Sequence, residues 1–283
     1  MNRRVAPVAR RLLELLPAIA ALVAGVVLWE VWVRWRDTPS YLLPPPSTIW
    51  AAFVADRDLL GEHVLATLGE AMLGLAVGAV LGVALAVVIA GSALARRVLY
   101  PIVVASQTVP MIIMAPLLVL WFGFGLTPKV MVVAMVTFFP VAIATVGGLT
   151  SADPDLVDLL RSMGATRGQI LTNVLIPNAL PALFDGLRIA AAYTIAGAVI
   201  AEWTGASRGL GIYINRSQAS FRVDQVFVAV TIVALLSTAL FLIIGGLARA
   251  ASPWRYVSPA SGRTFSDHST VSNQRSTKEK DSQ

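Results

Sequence analysis

Two acidic residues that lie within long apolar stretches are the first candidates for chemistry in this sequence. Glu70 and Glu202 stand among aliphatic residues, and Trp203 directly follows the second of them. A carboxylate at membrane depth is costly, and such groups are often functional. We therefore predict that Glu70, Glu202 and Trp203 line a solute pathway or its gate. In the alternative interpretation, both carboxylates lie at the membrane interface and contact water.

The composition excludes several other kinds of site. The chain has no cysteine, and its two histidines, His63 and His268, are far apart, so thiolate and His-rich metal sites are excluded. A phosphate-binding P-loop needs a lysine in the pattern G-x-x-x-x-G-K-[ST]. None of the lysines, which are Lys129, Lys278 and Lys280, has that setting. Any ATP hydrolysis linked to this chain must therefore occur on another chain.

The elements that position these residues are long apolar segments. The chain is 57% hydrophobic and 13% charged, whereas soluble domains carry about 25% charged residues. Six segments approach the roughly 20 residues that cross a bilayer. We predict an all-α polytopic membrane protein with about six transmembrane helices, at residues 12–33, 64–90, 98–122, 129–149, 186–203 and 226–248. The third contains Pro101, Pro110 and Pro116, so we expect a kink there.

The distribution of basic residues predicts the orientation. With the N-terminus inside, 15 of the 22 lysines and arginines fall on the cytoplasmic side, which favours both termini in the cytoplasm. The net charge is +6, and we interpret the basic residues as contacting acidic lipid headgroups and not nucleic acid. The division that follows is a cytoplasmic N-terminus at 1–11, a membrane domain at 12–257 and a disordered cytoplasmic tail at 258–283.

One polar segment, Asp153–Pro181, interrupts the apolar pattern within a cytoplasmic connection at 150–181. Asp153 and Pro154 are typical of a helix start, and Gly164 of a helix stop. Thr166 and Gln169 fit a capping box that begins a second short helix, which Pro177 and Pro181 are expected to close. The pattern predicts helix, tight turn, helix, and favours a docking surface over a plain connector.

The second span carries a stripe of small residues. Gly74, Gly78 and Gly82 recur every four residues and let another helix backbone approach closely. We interpret the stripe as structural packing against a helix of this chain or another.

The Asp153–Pro181 segment resembles the cytoplasmic signature of permease subunits of bacterial ABC importers, written EAA, three residues, G, nine residues, I-x-L-P. Asp158, Leu159 and Leu160 take the EAA place, with two leucines in place of alanines, and Gly164 follows at the family's distance. After Ala165 to Asn173 come the residues Val174, Leu175, Ile176 and Pro177. Stretches beginning at Leu43, Val109 and Gly186 are also similar to the nitrate/sulfonate/taurine-type permeases.

The resemblance implies a mechanism and a set of partners. In this family the segment is a coupling helix that docks on a cytoplasmic ATPase dimer, which binds the ATP and magnesium, so this chain itself binds no cofactor. The coupling residues implied are Asp158, Leu159, Leu160, Arg161, Gly164, Ala165, Val174, Ile176 and Pro177. A second permease copy or sibling, an extracytoplasmic substrate-binding protein and the bacterial inner membrane complete the assembly.

The substrate expectation rests on the acidic candidates. Glu70 and Trp203 are more similar to the branch assigned to thiamine-precursor pyrimidines than to the sulfonate branch. An acidic, aromatic path suits a neutral or cationic ring. Nitrate, sulfonate, taurine or riboflavin import remain alternatives. A secondary transporter is a different class, but it would need paired broken helices or buried ion-coupling groups and would leave the polar segment unexplained. An intramembrane enzyme lacks a plausible catalytic set.

Overall fold

The computed structural model describes the backbone of residues 6–253 and the side chains of residues 16–253. Contacts group the chain into Met1–Ala251 and Ser252–Gln283, and every helix named below belongs to the first unit. The helices are α1 Ala6–Trp35, α2 Pro46–Ala55, α3 Arg57–Gly91, α4 Ala93–Ser106, α5 Met111–Phe122, α6 Leu126–Thr150, α7 Pro154–Ser162, α8 Arg167–Ile170, α9 Ile176–Glu202, α10 Leu210–Ala219 and α11 Val223–Ala251. The predicted all-α class is confirmed for the described residues.

The predicted spans correspond to long apolar helices. Within residues 6–253, five helical stretches are long and apolar enough to cross a membrane, and the bent pair α4 and α5 makes a sixth if it counts as one span. The predicted kink in the third span is a bend of 97° between α4 and α5. The break falls just before Pro110, while Pro101 and Pro116 lie inside α4 and α5. The side chains of the predicted N-terminal segment 1–11 lie outside the described part of the chain, and the predicted tail 258–283 lies wholly outside it.

The end of the Asp153–Pro181 segment differs from the expectation. We expected Pro177 and Pro181 to close a short second helix, but both lie within α9, and helical structure is continuous from Arg167 to Glu202. A π-helical turn, Leu171–Leu175, precedes α9, and the amide of Ile176 donates to the carbonyl of Leu171, five residues back. Proline lacks a donor, and a wider turn re-pairs the carbonyls around it.

Three helices form the centre of the unit. The glycine stripe of α3 packs against α6, since a Cβ atom placed on Gly74, Gly78 or Gly82 would meet residues of α6. The expectation of a partner helix is thereby confirmed, and the partner lies in this chain. α6 in turn packs on α9, where Gly148 and Gly186 allow the same close approach. The buried core at this junction includes Ala71, Val133, Val141, Ala190, Ile195 and Leu240.

Candidate functional site

The turn of the Asp153–Pro181 segment is built from local capping interactions. The carboxylate of Asp153 accepts from the amide of Asp155 at 2.9 Å and begins α7. Gly164 has a φ of +83°, and its amide donates to the carbonyl of Arg161 at 2.9 Å while that of Ala165 donates to Leu160 at 3.0 Å. This pair of bonds is the Schellman helix stop. The predicted start and stop of the first short helix are therefore confirmed.

The second half of the turn is equally well defined. Thr166 and Gln169 form the predicted capping box, with the Thr166 amide donating to the Gln169 side-chain oxygen at 2.8 Å. Ile170 is buried, so the short helix α8 is held against the membrane domain by one apolar anchor. The turn is thus held by hydrogen bonds of Gly164, Ala165, Thr166 and Gln169 and is not a loose connection.

An apolar stripe of α7 is left uncovered in the single chain. Leu156, Leu159 and Met163 recur at helical spacing, and they are 44%, 57% and 74% exposed. Asp158 and Arg161 form an exposed ion pair of 2.9 Å beside the stripe. An apolar stripe of this kind, rimmed by charge, is typical of a protein–protein contact surface.

The other residues of the implied coupling set fall into a half-buried group and an exposed group. Leu160 and Ala165 are half-buried beneath the turn, and Val174 is half-buried in the π-helical turn. Ile176 and Pro177 are exposed at the start of α9. A cleft of about 730 Å³ lies between the ends of α3 and α4 and this segment, and Arg161 and Arg167 are among its lining residues.

Glu70 has a basic partner that the sequence analysis missed. The ammonium of Lys129, at the start of α6, donates to one oxygen of Glu70 at 2.5 Å, and both side chains are largely buried. The other oxygen of Glu70 is buried and has no hydrogen-bond partner among the described residues. Lys129 is the one lysine before residue 278, and it lies within an apolar run. A charge within the membrane requires a partner of opposite charge, so the isolated Lys129 was a sequence signal that an acidic partner exists.

Glu202 is fully buried and bound by protein groups on both oxygens. The hydroxyl of Thr67 donates to one oxygen at 2.6 Å, and the amide of Gly211 donates to the other. The interpretation that Glu202 contacts water at the membrane interface is wrong for this structure, because the residue is 0% exposed. Trp203, the C-cap residue that follows α9, is 42% exposed. Whether Glu70, Glu202 and Trp203 line a pathway stays a prediction.

A second polar cluster lies farther along α10. The hydroxyl of Tyr213 donates to the carboxylate of Asp56 at 2.8 Å, and the side chain of Gln225 donates to the same carboxylate oxygen. Ser217 donates to Gln225 at 3.0 Å. Burial and the hydrogen bond to Asp56 raise the pKa of Tyr213. The cluster ties α10 to α11 and to the turn before α3. Together the two clusters fasten α10 at its start and along its length.

Metal chemistry finds no support among the described residues, where no group of three or more His, Cys, Asp or Glu is placed to hold an ion. The arrangement instead consists of an exposed contact segment at one end of the helices and buried polar clusters near the other. α9 spans the distance between them, from Ile176 to Glu202. Such an arrangement can transmit movement along a helix.

Sequence comparison with known proteins finds transport proteins among the relatives of this chain. The family model of the "Binding-protein-dependent transport system inner membrane component" matches residues 74–255. The formylaminopyrimidine transport permease protein ThiX of Halalkalibacterium halodurans is 38% identical, over 81% of this chain and 92% of its own. The riboflavin transport system permease protein RibX of Chloroflexus aurantiacus is 37% identical, over 82% of this chain and 88% of its own.

A solved structure shares the fold. The inward-facing MetNI methionine ABC transporter aligns with a TM-score of 0.62 and 22% identity, over 70% of this chain and 98% of the other. The family match covers more than half of the chain, and ThiX exceeds 30% identity over most of both chains. The chain is therefore a multi-pass inner-membrane protein that belongs to the binding-protein-dependent transport system inner membrane component family of ABC transporter permeases.

Proposed function

We propose that this chain is the non-catalytic permease subunit of an ATP-driven importer and forms the path for a small organic solute. A separate ATPase dimer hydrolyses ATP, and ATP and magnesium bind there and not on this chain. Family membership supports the permease role. The absence of a P-loop in the full sequence supports the separate ATPase.

The single observation that carries the coupling role is the uncovered apolar stripe of α7. Leu156, Leu159 and Met163 face away from the chain on a helix whose start and stop are both fixed. A fixed turn suits a docking surface because little conformational freedom is lost on binding. We propose that the stripe contacts the ATPase, with Asp158 and Arg161 at its rim. Gly164 and Ala165 shape the turn, and Val174, Ile176 and Pro177 connect it to α9.

The orientation and the remaining partners belong to the same proposal. If the stripe meets a cytoplasmic ATPase, both termini lie in the cytoplasm, as the basic residues indicate. A second permease, identical or a sibling, completes the pathway, and a substrate-binding protein delivers the solute on the other side. The apolar surface of α1, where Leu22, Leu28 and Trp32 are each more than half exposed, is available for lipid or for that second subunit.

The coupling role can be tested in the complex purified with its ATPase. Leu159→Ser and Met163→Ser remove the apolar stripe without entering the core, and Gly164→Pro breaks the turn because proline cannot adopt a φ of +83°. We expect the ATPase to be lost on purification, or ATP hydrolysis to continue without uptake. Phe221→Ser is the matched control for retention of the ATPase, since Phe221 is 79% exposed at the opposite end of the helices. Full ATP-dependent uptake in all three stripe and turn variants would refute the proposal.

For the solute, we propose a nitrogen-containing ring compound of the thiamine-precursor pyrimidine kind. The support is similarity to ThiX, whose name specifies formylaminopyrimidine, at 38% identity. Riboflavin is the second candidate, since RibX is 37% identical. Nitrate, sulfonate and taurine remain the alternative class.

Competition decides between these solutes. Proteoliposomes with the complete importer and its binding protein would be given a labelled hydroxymethylpyrimidine or formylaminopyrimidine, with riboflavin or taurine as unlabelled competitors. We expect ATP-dependent uptake of the pyrimidine that excess taurine does not reduce. Uptake of taurine or an alkyl sulfonate in preference to either ring would overturn the substrate proposal and leave the permease role intact.

A further inference from the structure

The first turn of α10 is bound by side chains from two other helices. The amide of Gly209 donates to Nδ1 of His63 at 2.9 Å, and the amide of Leu210 donates to the hydroxyl of Thr67 at 2.8 Å. The amide of Gly211 donates to the carboxylate of Glu202. The first amides of a helix have no partner within it and need acceptors from elsewhere. α3 and α9 therefore supply the acceptors for the start of α10.

Glu202 is the centre of this arrangement. Its carboxylate binds the start of α10 through Gly211 and is itself bound by the Thr67 hydroxyl at 2.6 Å. A negative charge at the start of a helix also interacts favourably with the helix dipole. A Cβ atom on Gly209 or Gly211 would collide with the Glu202 side chain, so both glycines make the close approach possible. His63, Thr67 and Glu202 are 4%, 0% and 0% exposed.

We propose that His63, Thr67 and Glu202 form a latch that holds α10 against α3 and α9. In the importer, which rests on the function proposed above, the latch makes these three helices move as one unit at the end opposite the ATPase contact. Glu202 is then a positioning residue that acts through α10. Glu202 is 0% exposed and each of its oxygens accepts a bond from the protein, so a solute does not reach it in this structure.

The latch has a consequence for the connection between α9 and α10. Gly205 and Gly209 have φ values of +130° and +129°, so the chain between the two helices turns on residues that only glycine accommodates easily. The backbone bonds of this connection, such as that from the amide of Ala206 to the carbonyl of Glu202 at 3.1 Å, reach back to α9 and not forward to α10. The side chains that hold the start of α10 are those of the latch, with the Tyr213–Asp56–Gln225 cluster farther along the helix, so the loss of a latch bond loosens its first turn.

The absence of cysteine from the sequence gives a direct test. Ser217→Cys places a reporter on the packed face of α10, where Ser217 is 3% exposed, and the Ser217 bond to Gln225 is then absent from every variant that carries this reporter, so it does not affect their comparison. Ser207→Cys places an exposed control in the preceding connection. The purified chain in nanodiscs is treated with a water-soluble thiol reagent. We expect Thr67→Val to raise the labelling rate at position 217 by about tenfold, the factor that corresponds to one lost buried hydrogen-bond partner. Labelling at position 207 stays the same.

Conservative and distant variants control this experiment. Thr67→Ser keeps the hydroxyl and is expected to restore slow labelling. Thr231→Val removes a hydroxyl that bonds only within α11 and is expected to change nothing. Thr145→Cys, 3% exposed in α6, reports on general unfolding. Unchanged labelling at position 217 in both Thr67→Val and Glu202→Gln would overturn the latch. An equal increase in the labelling rates at positions 217 and 145 would overturn it as well, because it would indicate general unfolding and not a local loosening of α10.

A second measurement separates positioning from solute binding. In the complete importer, Glu202→Gln is expected to lower the maximal uptake rate severalfold and leave the half-saturating solute concentration unchanged. A residue that contacts the solute would change that concentration. Because the labelling experiment needs neither ATPase nor solute, it can support or overturn the latch even if the chain proves to move a different solute.

Discussion

Replacing Gly78 by alanine tests the contact on which the centre of the fold depends. A Cβ atom at position 78 would lie 2.5 Å from the carbonyl oxygen of Ala134 in α6 and would collide with the hydroxyl of Thr137. The hydroxyl can rotate away, but the carbonyl belongs to the backbone of α6. It would have to retreat by about 1 Å to reach an ordinary contact of 3.4 Å. The two helices must therefore separate.

The magnitude follows from two opposing effects. Overpacking of a close helix contact costs about 1–3 kcal/mol. Alanine gains up to about 1 kcal/mol over glycine in helix propensity. Gly69, also in α3, is the matched control because a Cβ atom there has no neighbour within 4 Å. We expect Gly69→Ala to be neutral or to stabilise by up to about 1 kcal/mol, and Gly78→Ala to be about 1–3 kcal/mol less stable than that control.

The assay is unfolding of the purified chain in mixed micelles by titration with sodium dodecyl sulfate, followed by circular dichroism. Equal unfolding free energies for Gly78→Ala and Gly69→Ala would refute the inference that α3 and α6 are in close contact. A third variant identifies the obstacle. If the carbonyl of Ala134 is limiting, adding Thr137→Ala to Gly78→Ala restores little stability, whereas full recovery would show that the Thr137 hydroxyl is the obstacle.

Three further predictions concern charged and turn positions. Lys129→Met leaves the Glu70 carboxylate buried without its partner and is expected to cost about 3–5 kcal/mol, whereas Lys129→Met with Glu70→Gln is expected to recover most of that loss in the same assay. The raised pKa of Tyr213 means that its phenol stays neutral above pH 10, where ordinary tyrosines ionise. The stability from its bond to Asp56 is therefore complete below that pH and lost as pH rises further, and Tyr213→Phe removes this late step from the ultraviolet tyrosinate titration. Gly164→Ala meets open space but must adopt a φ of +83°, so we expect a loss of about 1–2 kcal/mol of stability with the ATPase contact retained. A neutral effect of Gly164→Ala would show that the turn adapts.

The features that the sequence predicted correctly depend on neighbours along the chain. Asp153, Gly164 and the Thr166–Gln169 box are bound by groups within five residues, so their residue types alone identify the turn. The glycine stripe was recognisable for a similar reason, since three glycines at helical spacing leave a flat face that something must cover. Only the identity of that partner, α6, required the structure.

The features that the sequence did not predict depend on distant contacts. Lys129 lies 59 residues from Glu70, and Thr67 lies 135 residues from Glu202, so no local pattern pairs these residues, although the isolated lysine in an apolar run was a signal that a partner exists. The passage of α9 through Pro177 and Pro181 was missed for another reason. Proline usually ends a helix, but here a π-helical turn precedes Pro177 and the helix continues through Pro181, an outcome that no propensity scale anticipates.

The distant contacts also change the argument about the solute. In the sequence, Glu70 and Glu202 predict an acidic path that suits a neutral or cationic ring. In the structure Lys129 neutralises one carboxylate, and Thr67 and Gly211 donate hydrogen bonds to the other. The charges therefore no longer favour a ring over an anion, and the substrate proposal depends on similarity to ThiX and RibX. If this is correct, Lys129→Met with Glu70→Gln leaves the ratio of pyrimidine to taurine uptake unchanged while it alters the amount of folded importer. A shift of that ratio toward taurine would return both residues to the solute pathway.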